Sequence, residues 1–242
     1  MASSSPGAPP RTRTLRVQLA RLGLGEGTAE RERFLRPRLA ELTRPDAMVD
    51  RSTAARRLAR AVRENERIVV FGDYDCDGMT ATAILTDALR ELGASSVTPV
   101  LASRFAGGYG LSARALERVL EAEPSLVITC DCGSSDHPSL ERLRQRGVDA
   151  VVIDHHLVPA EPLPALAFLN PHRPDCGFAY KGLASCGLAF SVVAALRSEL
   201  GAQLDPKGYL DLVAIGTIAD VAPLDGDNRA LVRAGLAQLA KT

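Results

Sequence analysis

The segment Gly72-Asp73-Tyr74-Asp75-Cys76-Asp77-Gly78 puts three carboxylates at alternate positions of one short stretch. Carboxylates crowded in this way repel one another, and a divalent cation offsets that repulsion. A second group, Asp154-His155-His156, joins two nitrogen donors to a hard oxygen donor. That mixture suits manganese or magnesium with some nitrogen ligation better than calcium. Asp131 and Asp220 stand singly, each just past an apolar run. A lone histidine beside such a run is usually structural, but two in succession after an Asp, level with several other carboxylates, read as metal chemistry. Phosphoryl transfer gains from two ions about 3.5 to 4 Å apart that share a carboxylate, acidify a water and neutralise the leaving oxygen.

Rival readings fail on specific positions. An EF-hand loop shares the D-x-D-x-D-G spelling but needs a bidentate Glu at its twelfth position, which here is Ile84. A haloacid-dehalogenase-like phosphatase would use Asp75 as nucleophile and Asp77 beside it, with Thr129 ending another strand. It also wants a catalytic lysine, and Lys181, Lys207 and Lys241 all lie away from a suitable strand. Cys130 and Cys132 have no second closely spaced pair, so small core residues are favoured over zinc ligands. A dinucleotide-binding turn is missing after the first strand, and Gly107-Gly108-Tyr109-Gly110 has the wrong spacing for one.

Residues this specific need rigid elements to bring them together. From Arg67 onward, short apolar runs alternate with amphipathic stretches: RIVVF, 79–92, SVTPVL, 112–122, LVIT, 138–146 and DAVVI. This is the pattern of β-α-β units, and it predicts an α/β fold with a Rossmann-like, mainly parallel sheet flanked by helices. Asp73, Asp75 and Asp77 follow RIVVF, Asp131 follows LVIT, and Asp154 to His156 follow DAVVI. The loops after the carboxyl ends of parallel strands are where such sheets keep their functional residues. After a Pro-rich connection come the run ALAFL and helices over 187–200, 207–219 and 227–240, with Asp220 ending the second. Helical spacing over 15–22, 32–42 and 53–64 predicts an N-terminal helical segment.

The 242 residues, 46% hydrophobic, suffice for a buried core. No apolar run approaches the roughly 18 residues that would span a bilayer, so no membrane association and a cytoplasmic location are expected. Residues 1–14 are expected to be a disordered tail, 15–66 the helical segment and 67–242 the catalytic domain. Five cysteines, an odd number, fit reduced thiols. The net charge of zero hides an asymmetry: residues 11–63 carry fourteen Arg against six acids, and residues 64–242 carry fifteen basic against twenty-three acidic residues. The first segment would suit a phosphate backbone and the second divalent metals, although solvated helix faces account for the same numbers.

The segments GDYDCDGMTATAIL, ITCDCGSSDH, VVIDHH and DLVAIGTIADVAPLDGDNRALVRAGL resemble, in order and spacing, the four motifs of the DHH phosphoesterases, and among them the RecJ-like exonucleases. SRFAGGYGLS, FLNPHRPDCGF and LASCGLAF agree with it, and the resemblance runs from about Arg67 to Leu239. It implies metal-dependent 5′ to 3′ hydrolysis of single-stranded DNA, serving DNA repair and recombination, with two Mn2+ or Mg2+ ions. Asp75 and Asp77 would ligate the ions separately, Asp131 would bridge them, His155 and Asp220 would complete one site, and Asp73 would be an extra ligand or hold a water. His156 would face the scissile phosphate, Asp154 would orient a histidine, and Arg104 would join His156 in stabilising charge. Implied partners are single-stranded DNA, a helicase or single-strand-binding protein, and a separate chain supplying the family's second domain and oligonucleotide-binding barrel, which do not follow the fourth motif here. Two further departures are Phe71, where many relatives carry a histidine ligand, and Ser185-Cys186-Gly187, where the turn is usually Gly-rich. Alternatives are a DHH enzyme acting on short oligonucleotides or cyclic dinucleotides, and a noncatalytic scaffold, which should have lost ligands.

Overall fold

The computed structural model describes residues 10–241. They fall into two compact units that divide between Arg38 and Leu39. The first holds helices α1 (Pro10–Arg21) and α2 (Ala29–Leu35), the latter capped by Thr28, whose Oγ1 accepts from the Arg31 N–H at 3.2 Å. The tail expected over 1–14 lies outside the described residues up to residue 9, and residues 10–14 begin α1. The helix expected over 32–42 is broken: α2 ends at Leu35, and only a 3-10 turn, Leu39–Glu41, follows. Pro37 is the reason, because its ring disfavours helical geometry at Arg36 and it has no N–H to donate.

The second unit contains α3 (Arg51–Arg63), β1 (Ile68–Gly72), α4 (Cys76–Glu91), β2 (Val97–Leu101), α5 (Ala113–Leu120), β3 (Leu126–Cys130), α6 (His137–Gln145), β4 (Asp149–Ile153), β5 (Ala167–Leu169), α7 (Ser185–Leu200), α8 (Leu210–Ala219) and α9 (Gly226–Leu239). The five strands pair in the order β2-β1-β3-β4-β5, parallel throughout. Both faces of the central strands are covered, so alternate residues of β1, β3 and β4 enter different cores. Ile68, Val70, Leu126, Ile128, Val151 and Ile153 pack with α3, α4 and α7. Val69, Phe71, Val127, Ala150 and Val152 pack with α5 and α6. This double burial explains why the strands read as unbroken apolar runs. All five cysteines are free thiols. Among the described residues, no helix is long and apolar enough to cross a membrane.

The chain winds from β1 outward to β2 and then returns to place β3 on the other side of β1. The crevice for a ligand opens at this reversal, beyond the carboxyl ends of β1 and β3. In the register, Gly72, Cys130, Ile153 and Leu169 form one row across the sheet. The next residues of β1, β3 and β4 are Asp73, Asp131 and Asp154. Each donates its backbone N–H to the neighbouring strand's last carbonyl, at 3.1, 2.9 and 3.0 Å. Three aspartates are thereby fixed side by side by the ladder itself.

Candidate metal centre

Asp73, Asp131 and Asp154 are fully buried, and each is handled differently. Asp154 is satisfied by protein alone. Its Oδ2 accepts from the Ser134 N–H at 3.0 Å, and its Oδ1 from the N–H groups of His155 and His156 at 2.8 and 3.2 Å. The same Oδ1 lies 2.7 Å from His156 Nδ1. Burial works against this carboxylate, but the bonds from His156 and Ser134 outweigh it and hold its pKa below the usual range. Asp73 and Asp131, in contrast, each keep one buried oxygen without a hydrogen-bond partner among the described residues, Oδ1 and Oδ2 respectively. Burial, then the neighbouring charge of Asp75, raises the pKa of Asp73 against backbone N–H groups that favour the anion. Burial and the carboxylates of Asp77 and Asp75 push Asp131 up to about 8.

After Asp73 the chain turns into α4. Asp75 caps that helix, its Oδ1 accepting from the Gly78 N–H at 2.9 Å. Gly78 is required by close approach: a Cβ there would sit 2.6 Å from the Asp73 carbonyl oxygen. Asp77, in the first turn of α4, is fully buried and points at another helix. Its Oδ2 accepts from the Ser185 N–H at 2.6 Å and its Oδ1 from the Cys186 N–H at 2.9 Å. These are the first two residues of α7, whose own N-cap, Ala184, has no side chain to offer. Asp77 thus caps α7 from a distance, and the positive end of that helix favours its negative charge.

His155 Nε2 is the convergence point. It lies 3.1 Å from Asp131 Oδ1, 3.8 Å from Asp220 Oδ2 and 3.9 Å from Asp77 Oδ2, yet it is buried and makes no hydrogen bond. Burial opposes charge on this ring, but Asp131, Asp77 and Asp220 together raise its pKa to about 9. Three oxygens and a nitrogen drawn together without bonding one another form a cradle for a cation. Asp220 arrives from the carboxyl end of α8, and α8 can lie close because Gly216 has no side chain: a Cβ there would meet Cys186 Sγ at 2.7 Å and Asp77 Oδ1 at 3.1 Å.

Donor atoms that could share an ion fall into overlapping groups: Asp77, His155 and Asp220; Asp73, Asp75 and Asp131; and Asp131, His155 and His156. Every acid and histidine singled out as a ligand from the sequence is therefore in the cluster. Phe71 is not part of it, being wholly buried in the core beneath α5 and α6, and Asp73 stands on the cluster instead. Arg104 is exposed on the loop after β2, with its guanidinium carbon 5.0 Å from the centre of the Tyr74 ring.

Four residues of the site escaped the sequence reading. Ser185 Oγ donates to Asp131 Oδ1 at 3.1 Å, making the departing turn a support for the acids. Tyr109 donates its hydroxyl to the Asp131 carbonyl at 3.1 Å, with its oxygen 3.1 Å from His156 Nδ1. His172 and Lys181 line a cleft of about 530 Å³ together with His155 and Asp220. Lys181 is anchored by a 2.9 Å bond to the Cys176 carbonyl, and the His172 N–H by one of 2.9 Å to Asn170 Oδ1. Asn170 Nδ2 in turn donates to the His156 carbonyl at 2.8 Å. The only signal for Tyr109, His172 and Ser185 was their place in the segments SRFAGGYGLS, FLNPHRPDCGF and LASCGLAF, and Lys181, between the last two, had none.

Comparison with known proteins adds an independent line. The DHH family, N-terminal domain, matches residues 67–217. The single-stranded-DNA-specific exonuclease RecJ of Dickeya dadantii is 42% identical over 193 residues, covering 75% of this chain and 33% of that protein. The crystal structure of exonuclease RecJ bound to manganese superposes with a TM-score of 0.73 at 42% identity, covering 80% of this chain and 49% of that one. RecJ from Thermus thermophilus in complex with Mg2+ gives a TM-score of 0.63 at 31% identity, covering 97% of this chain and 31% of that one. The chain spans about a third of the length of the curated relatives it matches. Since the matched region takes in well over half of the residues and every member of the cluster but Asp220, the chain belongs to the DHH family.

Proposed function

We propose that this chain provides the two-metal centre of a RecJ-type exonuclease, which hydrolyses phosphodiester bonds of single-stranded DNA from 5′ to 3′ in the cytoplasm, in DNA repair and recombination. The observation that carries the reading is that Asp73, Asp131 and His155, each with a buried side-chain atom lacking a hydrogen-bond partner, belong to overlapping groups of donors at the sheet's reversal. Donors left in this state cost free energy that a bound cation recovers.

The donor set fits two hard divalent ions, manganese or magnesium. Asp77, His155 and Asp220 would hold one, Asp73 and Asp75 the other, and Asp131 would reach both. When bound, such ions supply the Lewis acidity that acidifies a water and offsets charge on the phosphate. The remaining work falls to the chain's own groups. Asp154 holds His156 Nδ1 and leaves Nε2 as the ring atom for a phosphate oxygen, to which it can donate a proton or a hydrogen bond. Arg104 offers its guanidinium to the same anion, and Lys181 and His172 flank the far side of the cleft. A scaffold without catalysis would have no need of the unpartnered donors. Single-stranded DNA is the proposed partner, and a helicase, a single-strand-binding protein or a chain carrying the remaining family domains could act with it.

Single-turnover hydrolysis, in oxygen-18 water, of a short single-stranded oligonucleotide carrying one phosphorothioate of known configuration tests the chemistry. Direct attack of water should invert the configuration at phosphorus. Retention, the mark of two successive displacements through a covalent Asp75 intermediate, would instead establish a covalent phosphatase mechanism.

A further inference from the structure

Among the described residues, the three most exposed large apolar side chains are Phe105 at 97%, Leu157 at 91% and Val221 at 86%. Each immediately follows a residue of the site: Arg104, His156 and Asp220. Apolar side chains scattered singly over a surface need no explanation, but three of extreme exposure, each next in the chain to a residue of the site, do. Val221 adds backbone strain, with φ at 58°, a region that β-branched residues avoid. It also lines the cleft shared by His155, Asp220, His172 and Lys181. Phe105 is held on a structured turn. Ala106 and Gly108 both donate to the Ser103 carbonyl at 3.0 Å, and Tyr109 fastens the turn to the Asp131 carbonyl.

We propose that Phe105, Leu157 and Val221 form an apolar rim that receives unpaired nucleobases of the strand whose phosphates the centre holds. This rests on the nuclease reading and extends it to how single strands are selected. Nucleobases are the occupant that fits, because the residues beside them offer cations for phosphates in Arg104 and Lys181, and the three side chains offer apolar surface. Every unpaired base has a free face for such contact, whereas the faces of paired bases are already stacked. Selection of single strands then needs no reading of base edges.

The test measures equilibrium binding of two strands of equal length and charge, one with bases and one abasic throughout, in manganese and in a His156→Ala background that prevents cleavage. The base-bearing strand should bind about tenfold more tightly. Phe105→Ser and Leu157→Ser should each lose most of that preference, Phe105→Tyr should keep it, and manganese titrations should match across all four proteins. Equal affinity for the two strands, or a loss in the serine variants that is the same for both, would overturn the rim and leave these side chains as a packing surface for another protein segment. If the native chain binds bases selectively but never cleaves, the nuclease reading fails while the rim stands.

Discussion

Asp131 is held at φ 62°, a conformation that costs a non-glycine residue energy, and its carboxylate oxygen lies 3.1 Å from both Ser185 Oγ and His155 Nε2. Asn at this position would keep the shape and remove the charge. Asp131→Asn should therefore abolish both manganese sites in a calorimetric titration, whereas Asp220→Asn should weaken one; retention of two-site binding by the first variant would remove Asp131 from its bridging role. Asp131 and His155 both bind protons more tightly in the folded chain than in the unfolded one. The metal-free fold should thus lose stability as pH rises, from about 4 to about 8 through Asp131, and from 6.5 to about 9 through His155. Thermal denaturation in chelator between pH 5 and 9 should show a falling midpoint, flattened in Asp131→Asn. A midpoint that rises over this range would contradict the assignment. His156→Ala should lower turnover by about 10²-fold or more while sparing metal binding.

At the scale of elements, the sheet and its loops were legible because both faces of the central strands are buried, so β1, β3 and β4 each announce themselves as an apolar run followed by an acid. Asp73, Asp131 and Asp154 were placed correctly at one rim by that pattern alone. What the sequence could not reveal are bonds between distant segments. Nothing local in Ser185-Cys186-Gly187 says that Asp77, more than a hundred residues earlier, caps the helix starting there. The break at Pro37 was legible in principle, since proline is a local signal, but the apolar spacing around it pointed to a longer helix. The capping role separates two ligands that would otherwise look alike. Asp77→Ala should destabilise the metal-free protein by about 1 to 2 kcal/mol, because the N–H groups of Ser185 and Cys186 lose their acceptor. Asp220→Ala loses no such bond and should leave metal-free stability unchanged or raised. Equal losses from both, in chemical denaturation, would refute the distinction.

Over the whole molecule, the surplus of arginine in residues 11–63 reads differently once its partners are seen. Arg57 is buried and bonded to Glu66 and Asp149, Arg51 donates to Ser191, and Arg63 to the Glu199 carbonyl. These guanidinium groups fasten α3 to the sheet and to α7, and Arg57, buried, is not offered to a phosphate backbone. Because Asp149 remains partly open to water, Arg57→Ala should cost about 2 to 3 kcal/mol, toward the low end for breaking a buried ion pair. The acidic half, in contrast, gathers five of its carboxylates, Asp73, Asp75, Asp77, Asp131 and Asp220, with His155 and His156. Manganese-soaked crystals of the chain measure that concentration directly. The anomalous difference map should hold two peaks about 3.5 to 4 Å apart, one against Asp77, His155 and Asp220, the other against Asp73 and Asp75, with Asp131 touching both. A single peak at saturating manganese, or peaks away from these residues, would contradict it.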